Sequence, residues 1–485
     1  MAEATDATIP NEVRSQLKTL LAELERRAQL HQKLDCSYEG DAPIPEAIVR
    51  ARVTKSYRHL MPISGAPWGS LVVDSTQDRL EVSGIRSEDK HADELAWRLW
   101  QENFMDDEGS LAHQEALIDG RAFALVWREP GSSIPEVSID NSATMAVMYR
   151  EGSRRERIAA LRWWVEDDGK QALTLYTKDY VWKFVEPRTG GQDRGRIRAG
   201  DRWWERRETR DEPWPLRNPY GVIPGVELAV NRRVKQGIFP LARGEYAHCL
   251  GLIDRIELLT FLGLVVAFWM GFPLRGIIGE KLLKDDDGNP IPPFDAHASG
   301  IAVLENPNAK PFEYEAADRK NLSIFAELDQ LSSITKTPRH YFPTDKAFSN
   351  ISADAIRASE GGLHAKVTKH KRSLGRGNWE IMRLLALMSD EELSLPARAT
   401  VEWQDHESRS MAERADAATK LASIGIPVPM VAERYLNFSQ SDVGRLEGLL
   451  ANSVFRDLSE AAISAAKEEA VAARLQQEAA IPAED

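Results

Sequence analysis

The chain has 485 residues, 42% of them apolar and 28% charged, the balance of a folded globular protein of about two to four domains. Its formal charge of −13 argues against a tight nucleic-acid binder, because phosphate affinity comes mainly from Lys and Arg, but not against a surface that DNA passes without sticking. Two cysteines, Cys36 and Cys249, exclude a disulfide framework and fit a reducing compartment.

Met1 to Arg14 carries no apolar signal core. Residues 11–34 read as an amphipathic helix with Val13, Leu17, Leu20, Leu21 and Leu24 on its apolar face. From Leu71 to Ile85 the pattern alternates as strands do, with a turn near Gln77-Asp78. Helices are expected over 88–105, with Leu95, Leu99 and Trp100 inward, and over 110–119, stopping at Gly120. Strands follow at Phe123–Trp127, Ala146–Arg150, Ile158–Val165, Leu173–Tyr176 and Tyr180–Val185, which predicts a mostly antiparallel sheet carrying helices. Residues 187–215, rich in Arg, Gly and Asp, read as a loop pinned by Trp203, Trp204 and Trp214.

Asn218-Pro219-Tyr220-Gly221 turns into a strand at Val222–Val230, and a helix then runs from Leu241 to Phe272, roughly 45 Å long. Its segment Leu258–Leu274 has no charged residue and is about as long as the shortest membrane span. A helix buried among neighbours is the favoured reading, because Asp254, Arg255 and Glu257 continue it on one side and Pro273 closes it. Lys284 to Asn289 reads as a β-hairpin tip, and Pro290, Pro292 and Pro293 prevent a helix there. Leu322, Phe325, Leu328, Leu331 and Ile334 give a shorter returning helix.

The stretch from Thr335 to Leu385 is the most informative. A helix ends at Thr337-Pro338, and a polar loop follows: Thr344, Asp345, Lys346, Ala347, Phe348, Ser349 and Asn350. Ile356, Leu363, Val367, Leu374, Ile381, Leu385 and Met388 then line one helix face, a helix of about 36 residues and roughly 50 Å. Gly361-Gly362 and Gly375-x-Gly377 mark kinks or close packing in it. Lys366, Lys369, Lys371, Arg372 and Arg376 cluster on it with no acid between Glu360 and Glu380. That face is either solvated and salt-bridged or in contact with phosphate or an acidic neighbouring subunit. Helices at Ala412–Ile424, Val428–Leu436 and Ser441–Leu450 and an Ala- and Glu-rich stretch at 456–479 complete the chain.

No nucleotide-binding loop, zinc-protease helix, nucleophile elbow or paired Cys-x-x-Cys occurs, so neither a catalytic site nor a cofactor is expected. The ten histidines fall in no metal spacing. Asp285, Asp286 and Asp287 read as a solvated tip. The alternative, a hard-cation site, lacks the Gly that an EF-hand loop has at its sixth position, which here is Pro290.

Segments in a fixed order over residues 38–435 resemble portal proteins of tailed bacteriophages, in particular those of actinobacteriophages. They are Tyr38–Gly40, Trp68–Asp74, Ala112–Gly120, Asn218–Pro224, Ile334–Tyr341 with Ser352–Glu360 and Leu363, Trp403–Asp405, and Ala415–Ala417. The resemblance implies an α+β portal fold with a β-rich wing, two-helix stem, small α/β clip, long kinked helix and helical C-terminal crown. After an N-terminal helix at 1–35 it divides the chain into wing 36–236, stem helices 237–272 and 319–337, and clip 273–318. A DNA-facing tunnel loop at 338–352, the long helix 353–388, a wing return strand at 389–408 and a crown at 409–485 follow. It further implies a homo-oligomeric ring, a dodecamer, at the capsid vertex of the virion, assembled in the host cytoplasm. The ring would pass double-stranded DNA and meet the large terminase, the head-to-tail adaptor, and the major capsid and scaffolding proteins. Phe261, Leu264, Val265, Phe268 and Trp269 would form the stem interface between copies. The rival readings are a membrane-anchored oligomer using 258–274 as a span, an enzyme with a metal at Asp285–Asp287, and a portal-like protein of a defective prophage or gene-transfer particle.

Overall fold

The computed structural model describes residues 9–41, 58–185 apart from 130, 133, 154 and 167–169, then 205–206 and 214–271 apart from 235–238 and 240. It also describes four short strands between 275 and 313, and 323–451 apart from 344–352, 390–394, 406–410, 437 and 439. The elements in chain order are α1 (Asn11–Glu39), α2 (Trp68–Gln77), β1 (Val82–Arg86), α3 (Lys90–Glu102), α4 (Met105–Asp119), β2 (Arg121–Trp127), β3 (Glu136–Asp140), β4 (Met145–Tyr149), β5 (Arg157–Val165), β6 (Gln171–Thr177), β7 (Tyr180–Val185), β8 (Glu205–Arg206), β9 (Leu216–Arg217) and β10 (Gly225–Ala229). They continue as α5 (Leu250–Gly271), β11 (Arg275–Ile278), β12 (Leu283–Lys284), β13 (Pro290–Ile291), β14 (Lys310–Glu313), α6 (Phe325–Thr335), α7 (Ala353–Met388), β15 (Thr400–Trp403), α8 (Met411–Ser423), α9 (Val428–Tyr435) and α10 (Gln440–Ala451). The mixture is the α+β architecture expected.

Two antiparallel sheets form the body, one ordered β10-β2-β3 and one β4-β5-β6-β7-β8. Phe123, Leu125, Met145, Val147, Tyr176 and Ile223 fill the space between them. Helix α1 lays Val13, Leu20, Leu21 and Leu24 on the outer face of the larger sheet, against Leu161, Trp163, Leu173 and Trp182, the apolar face expected from its sequence. β1 pairs antiparallel with β15, so the segment after the long helix returns to the start of the body. α10 seals that pair: Ile85 N donates to Gln440 Oε1 at 3.0 Å and Trp97 Nε1 to Ser441 Oγ at 3.1 Å.

The long helix α7 is one uninterrupted element of 36 residues. Two of its glycines serve close packing: a β-carbon at Gly377 would lie 2.9 Å from Leu228 Cγ, and one at Gly375 3.4 Å from Trp403 and Val401. α7 therefore seats directly on β10 and β15.

Three expectations are corrected. Residues 71–77, expected as a strand, belong to α2; the buried positions Gly69, Val72, Val73 and Thr76 follow helical spacing, and the alternation of β-branched residues hid it. The helix expected from Leu241 begins at Leu250. Residues 241–249 instead pack on the end of α4, where Glu245 N donates to Leu117 O at 2.8 Å and a β-carbon at Gly244 would meet Ile118 O at 1.8 Å. Strand β3 was not foreseen, because Glu136, Ser138 and Asp140 give it little apolar pattern. The hairpin flanking residues 285–289 is present, with Leu283 opposite Ile291; Asp285, Asp286 and Asp287 themselves lie outside the described residues. No described helix is long and apolar enough to cross a membrane.

Candidate functional site at the root of the 344–352 loop

The loop Thr344–Asn350 lies outside the described residues, but both of its roots are described. The outgoing root begins where α6 ends. Lys336 adopts a left-handed conformation and its N–H caps Ser332 O, Ser332 Oγ donates to Thr337 O at 2.8 Å, and Pro338 stops the helix. A 3-10 turn at Arg339–Tyr341 follows. Arg339 is tied back to Asp329 and donates to Pro343 O at 2.8 Å. Phe342 is buried and stacks on Trp68 with centroids 6.4 Å apart. The chain is thus anchored one residue before Pro343.

The returning root is the first two turns of α7, and Glu360 joins the two. Tyr341 OH donates to Glu360 Oε1 at 3.0 Å, while Arg79 donates to Tyr341 OH at 2.7 Å and stands 3.7 Å from the same carboxylate. His340 and His364 approach Glu360 at 3.6 and 3.5 Å. One buried carboxylate therefore gathers the turn after α2, the 3-10 turn and α7 into a polar clamp at the base of the loop. Sequence reasoning missed Glu360, Arg79 and Tyr341, since they lie far apart in the chain and each is unremarkable alone.

A second cross-brace lies about two to three turns further along α7. Glu245 is buried and faces Lys366 Nζ at 2.8 Å; it accepts from His370 Nε2 at 2.7 Å and from Asn231 Nδ2 at 2.8 Å. Burial works against its charge, but these bonds and the Lys366 ammonium hold its carboxyl far below the usual range. Lys366 also donates to Thr335 O at 2.9 Å, satisfying an end carbonyl of α6.

The expected basic face therefore divides. Lys366 is spent inside the chain, and Lys371 donates to Gln404 O at 2.6 Å beneath Trp403. Burial pushes Lys371 down to about 8, although Asp405 and Glu81 favour its charge. Lys369, Arg372 and Arg376 are exposed, with Lys369 Nζ 3.1 Å from Asn231 Oδ1.

The expected stem interface divides in the same way. Phe261 is 2% exposed and Val265 9%, both packed with Leu264 under Leu60 and Met61 of the same chain. Phe268 is 39% exposed, with its ring edge against His59 at 5.9 Å. Leu262 is a second exposed apolar position on α5; the side chain of Trp269 lies outside the described residues. Arg255 joins α5 to α6, donating to Gln330 at 3.1 Å and standing 3.7 Å from Glu327.

The chain is 29% identical over 406 residues to the portal protein of Mycobacterium phage D29, covering 79% of this chain and 76% of that one. It is 28% identical over 413 residues to the portal protein of Mycobacterium phage L5, covering 80% and 78%. Solved structures similar to it include the neck of an empty gene transfer agent particle, at 10% identity and a TM-score of 0.41 over 78% of this chain and 91% of that one. Another is the virion of a native gene transfer agent particle, at 13% identity and the same TM-score and coverage. The family model described as phage portal protein, SPP1 Gp6-like, matches residues 17–429, which spans both sheets, helices α5 and α6, the clamp at Glu360 and the long helix: the chain belongs to the SPP1 Gp6-like family of phage portal proteins.

Proposed function

We propose that twelve copies of this chain form a ring at one capsid vertex, the conduit for double-stranded DNA during packaging and ejection. In this reading α5 and α6 are the stem, and the strands between 275 and 313 belong to the clip that docks the large terminase and later the head-to-tail adaptor. The helices α8 to α10 are part of the crown inside the capsid, beside the capsid and scaffolding proteins. The 344–352 loop faces DNA, and Lys369, Arg372 and Arg376 face phosphate or a neighbouring subunit. The reading assigns the chain no catalytic step; the terminase motor supplies the energy.

The observation that carries the loop assignment is the clamp at Glu360, which fixes both roots. A loop meant to touch a moving cargo is best presented from a rigid base. The net charge of −13 per copy suits a channel that must not grip phosphate.

Deletion of Thr344–Asn350 tests the loop. Rings in negative-stain micrographs together with lost packaging or DNA retention are expected; normal packaging by the deletion ring would overturn the assignment. For the interface, Leu262→Asp with Phe268→Asp is the informative pair, because Val265 is buried within the subunit and its substitution would damage the fold itself. Rings that persist in this double variant would remove the stem interface from the reading.

A further inference from the structure

Away from the stem and loop, α1 meets α4 through three side chains that the spacing of the sequence did not bring together. Glu115 and Asp119 stand four residues apart on α4, hence on one helix face, and His31 reaches them from α1. His31 Nδ1 is 2.8 Å from Asp119 Oδ2, and one ligand atom from each of the three lies within 4.8 Å of the others. That is the span of donors around a single small cation.

The second observation is a set of orphaned oxygens. The Asp119 side chain is 1% exposed, yet its Oδ1 has no hydrogen-bond partner, and neither has the buried Oε2 of Glu115. A buried acceptor left unmade costs about 1–3 kcal/mol. Asp119 also sits in the last turn of α4, where the helix dipole opposes a negative charge. The charged groups that act on Glu115 besides Asp119 and His31 include a further acid, Asp35. The second nitrogen of His31 has only a long contact, 3.4 Å, with Asn141 Nδ2. Asn141 is itself fixed, because its Oδ1 accepts from the amides of Ala143 and Thr144. Asn141 Nδ2 therefore points an N–H at Nε2, which leaves the ring proton on Nδ1 facing Asp119, and a metal taken at Nδ1 would displace that proton. His31 and Glu115 are partly exposed, which leaves an entry path for an ion.

We propose that His31, Glu115 and Asp119 form a divalent-metal site that clasps the N-terminal helix to α4. One imidazole and two carboxylates, with water completing the shell, suit a first-row cation such as Zn2+, with Mn2+ weaker and Mg2+ weakest. A bound cation would face both carboxylates and satisfy both orphaned oxygens.

The test uses the full-length protein, stripped with a chelator, dialysed, and titrated calorimetrically with ZnCl2 and, in parallel, MgCl2. One saturable Zn2+ per chain is expected, with a rise in melting temperature and a preference over Mg2+. Asp119→Asn should weaken Zn2+ binding by at least about 100-fold. Should that variant misfold, Glu115→Gln, at a less deeply buried position, gives the same readout and should lose the Zn2+-induced rise in melting temperature. The proposal is overturned if the wild type takes up no stoichiometric Zn2+, or if Glu115→Gln and His31→Ala bind it as the wild type does.

Discussion

Replacing Glu245 with Gln removes the one carboxylate shared by Lys366 at 2.8 Å and His370 at 2.7 Å. The Lys366 ammonium is then left in a buried site with only the Thr335 carbonyl, 2.9 Å away. Breaking a buried pair from one side costs about 3–5 kcal/mol, because the remaining charge has no partner and little water. At roughly 2–4 °C per kcal/mol for a domain of this class, melting should fall by roughly 6–20 °C. Lys366→Met combined with Glu245→Gln removes both charges and should recover part of the loss, so the single effects should exceed the double by more than about 1 kcal/mol. The depressed Glu245 carboxyl fixes the pH dependence. Its contribution is fully present above the unfolded value near 4.5 and is lost only as pH falls well below that. The gap between wild type and Glu245→Gln should therefore stay constant from about pH 8 to pH 5 and narrow in stronger acid. Urea and thermal melts of the purified subunit read all of this. A Glu245→Gln variant within about 0.5 kcal/mol of wild type, or strict additivity in the double variant, would refute the brace.

His113 is fully buried beside Asn378 and burial pushes its pKa down to about 4. The unfolded chain thus takes up a proton that the folded chain refuses between pH 6.5 and about 4, and stability should drop across that window by on the order of 3 kcal/mol; His113→Gln should flatten the slope in pH-resolved melts. Glu257 on α5 is buried with Oε1 unpartnered, and burial, with Asp254 adding repulsion, raises it to about 7. Here the folded chain keeps the proton, so stability should fall as pH rises from 4.5 to 7, and a Glu257→Gln variant with an unchanged pH profile would contradict that. Gly377→Ala should destabilise by about 1–3 kcal/mol through the contact with Leu228. Gly361→Ala, in open space on the same helix, should stabilise by about 0.4–1 kcal/mol; equal effects at the two glycines would disprove the packing argument.

Periodicity carried much of the fold because its cause is local. The long helix was legible from Ile356 to Met388, and the strands of the larger sheet from their alternating or continuous apolar runs, since burial on one face writes itself into the sequence. Where long-range packing decided, the sequence misled. Val72, Val73 and Thr76 are β-branched and read as strand, yet their burial beneath the rest of the body makes α2 a helix. Residues 241–249 have helical composition, but Glu245 N bonds to Leu117 O at the end of α4 instead of continuing a helix. The site followed the same division. The basic residues of α7 stood out as a run, but only the fold reveals that Lys366 and Lys371 turn inward to Glu245 and Gln404. His31 and Asp119 are 88 positions apart, so no spacing rule could have joined them.

The way α7 closes the chain bears on how the molecule carries load. The pair of helices α5 and α6 leaves and returns at one place. Glu245 precedes it, Thr335 ends it, and the single ammonium of Lys366 touches both. A pull along these two helices arrives at their roots together and is passed to α7, which rests along β10 and β15 through Gly377 and Gly375. The strain is then spread over a helix of 36 residues instead of peeling a sheet from its edge. Strands β1 and β15 tie the segment that follows α7 back into the body.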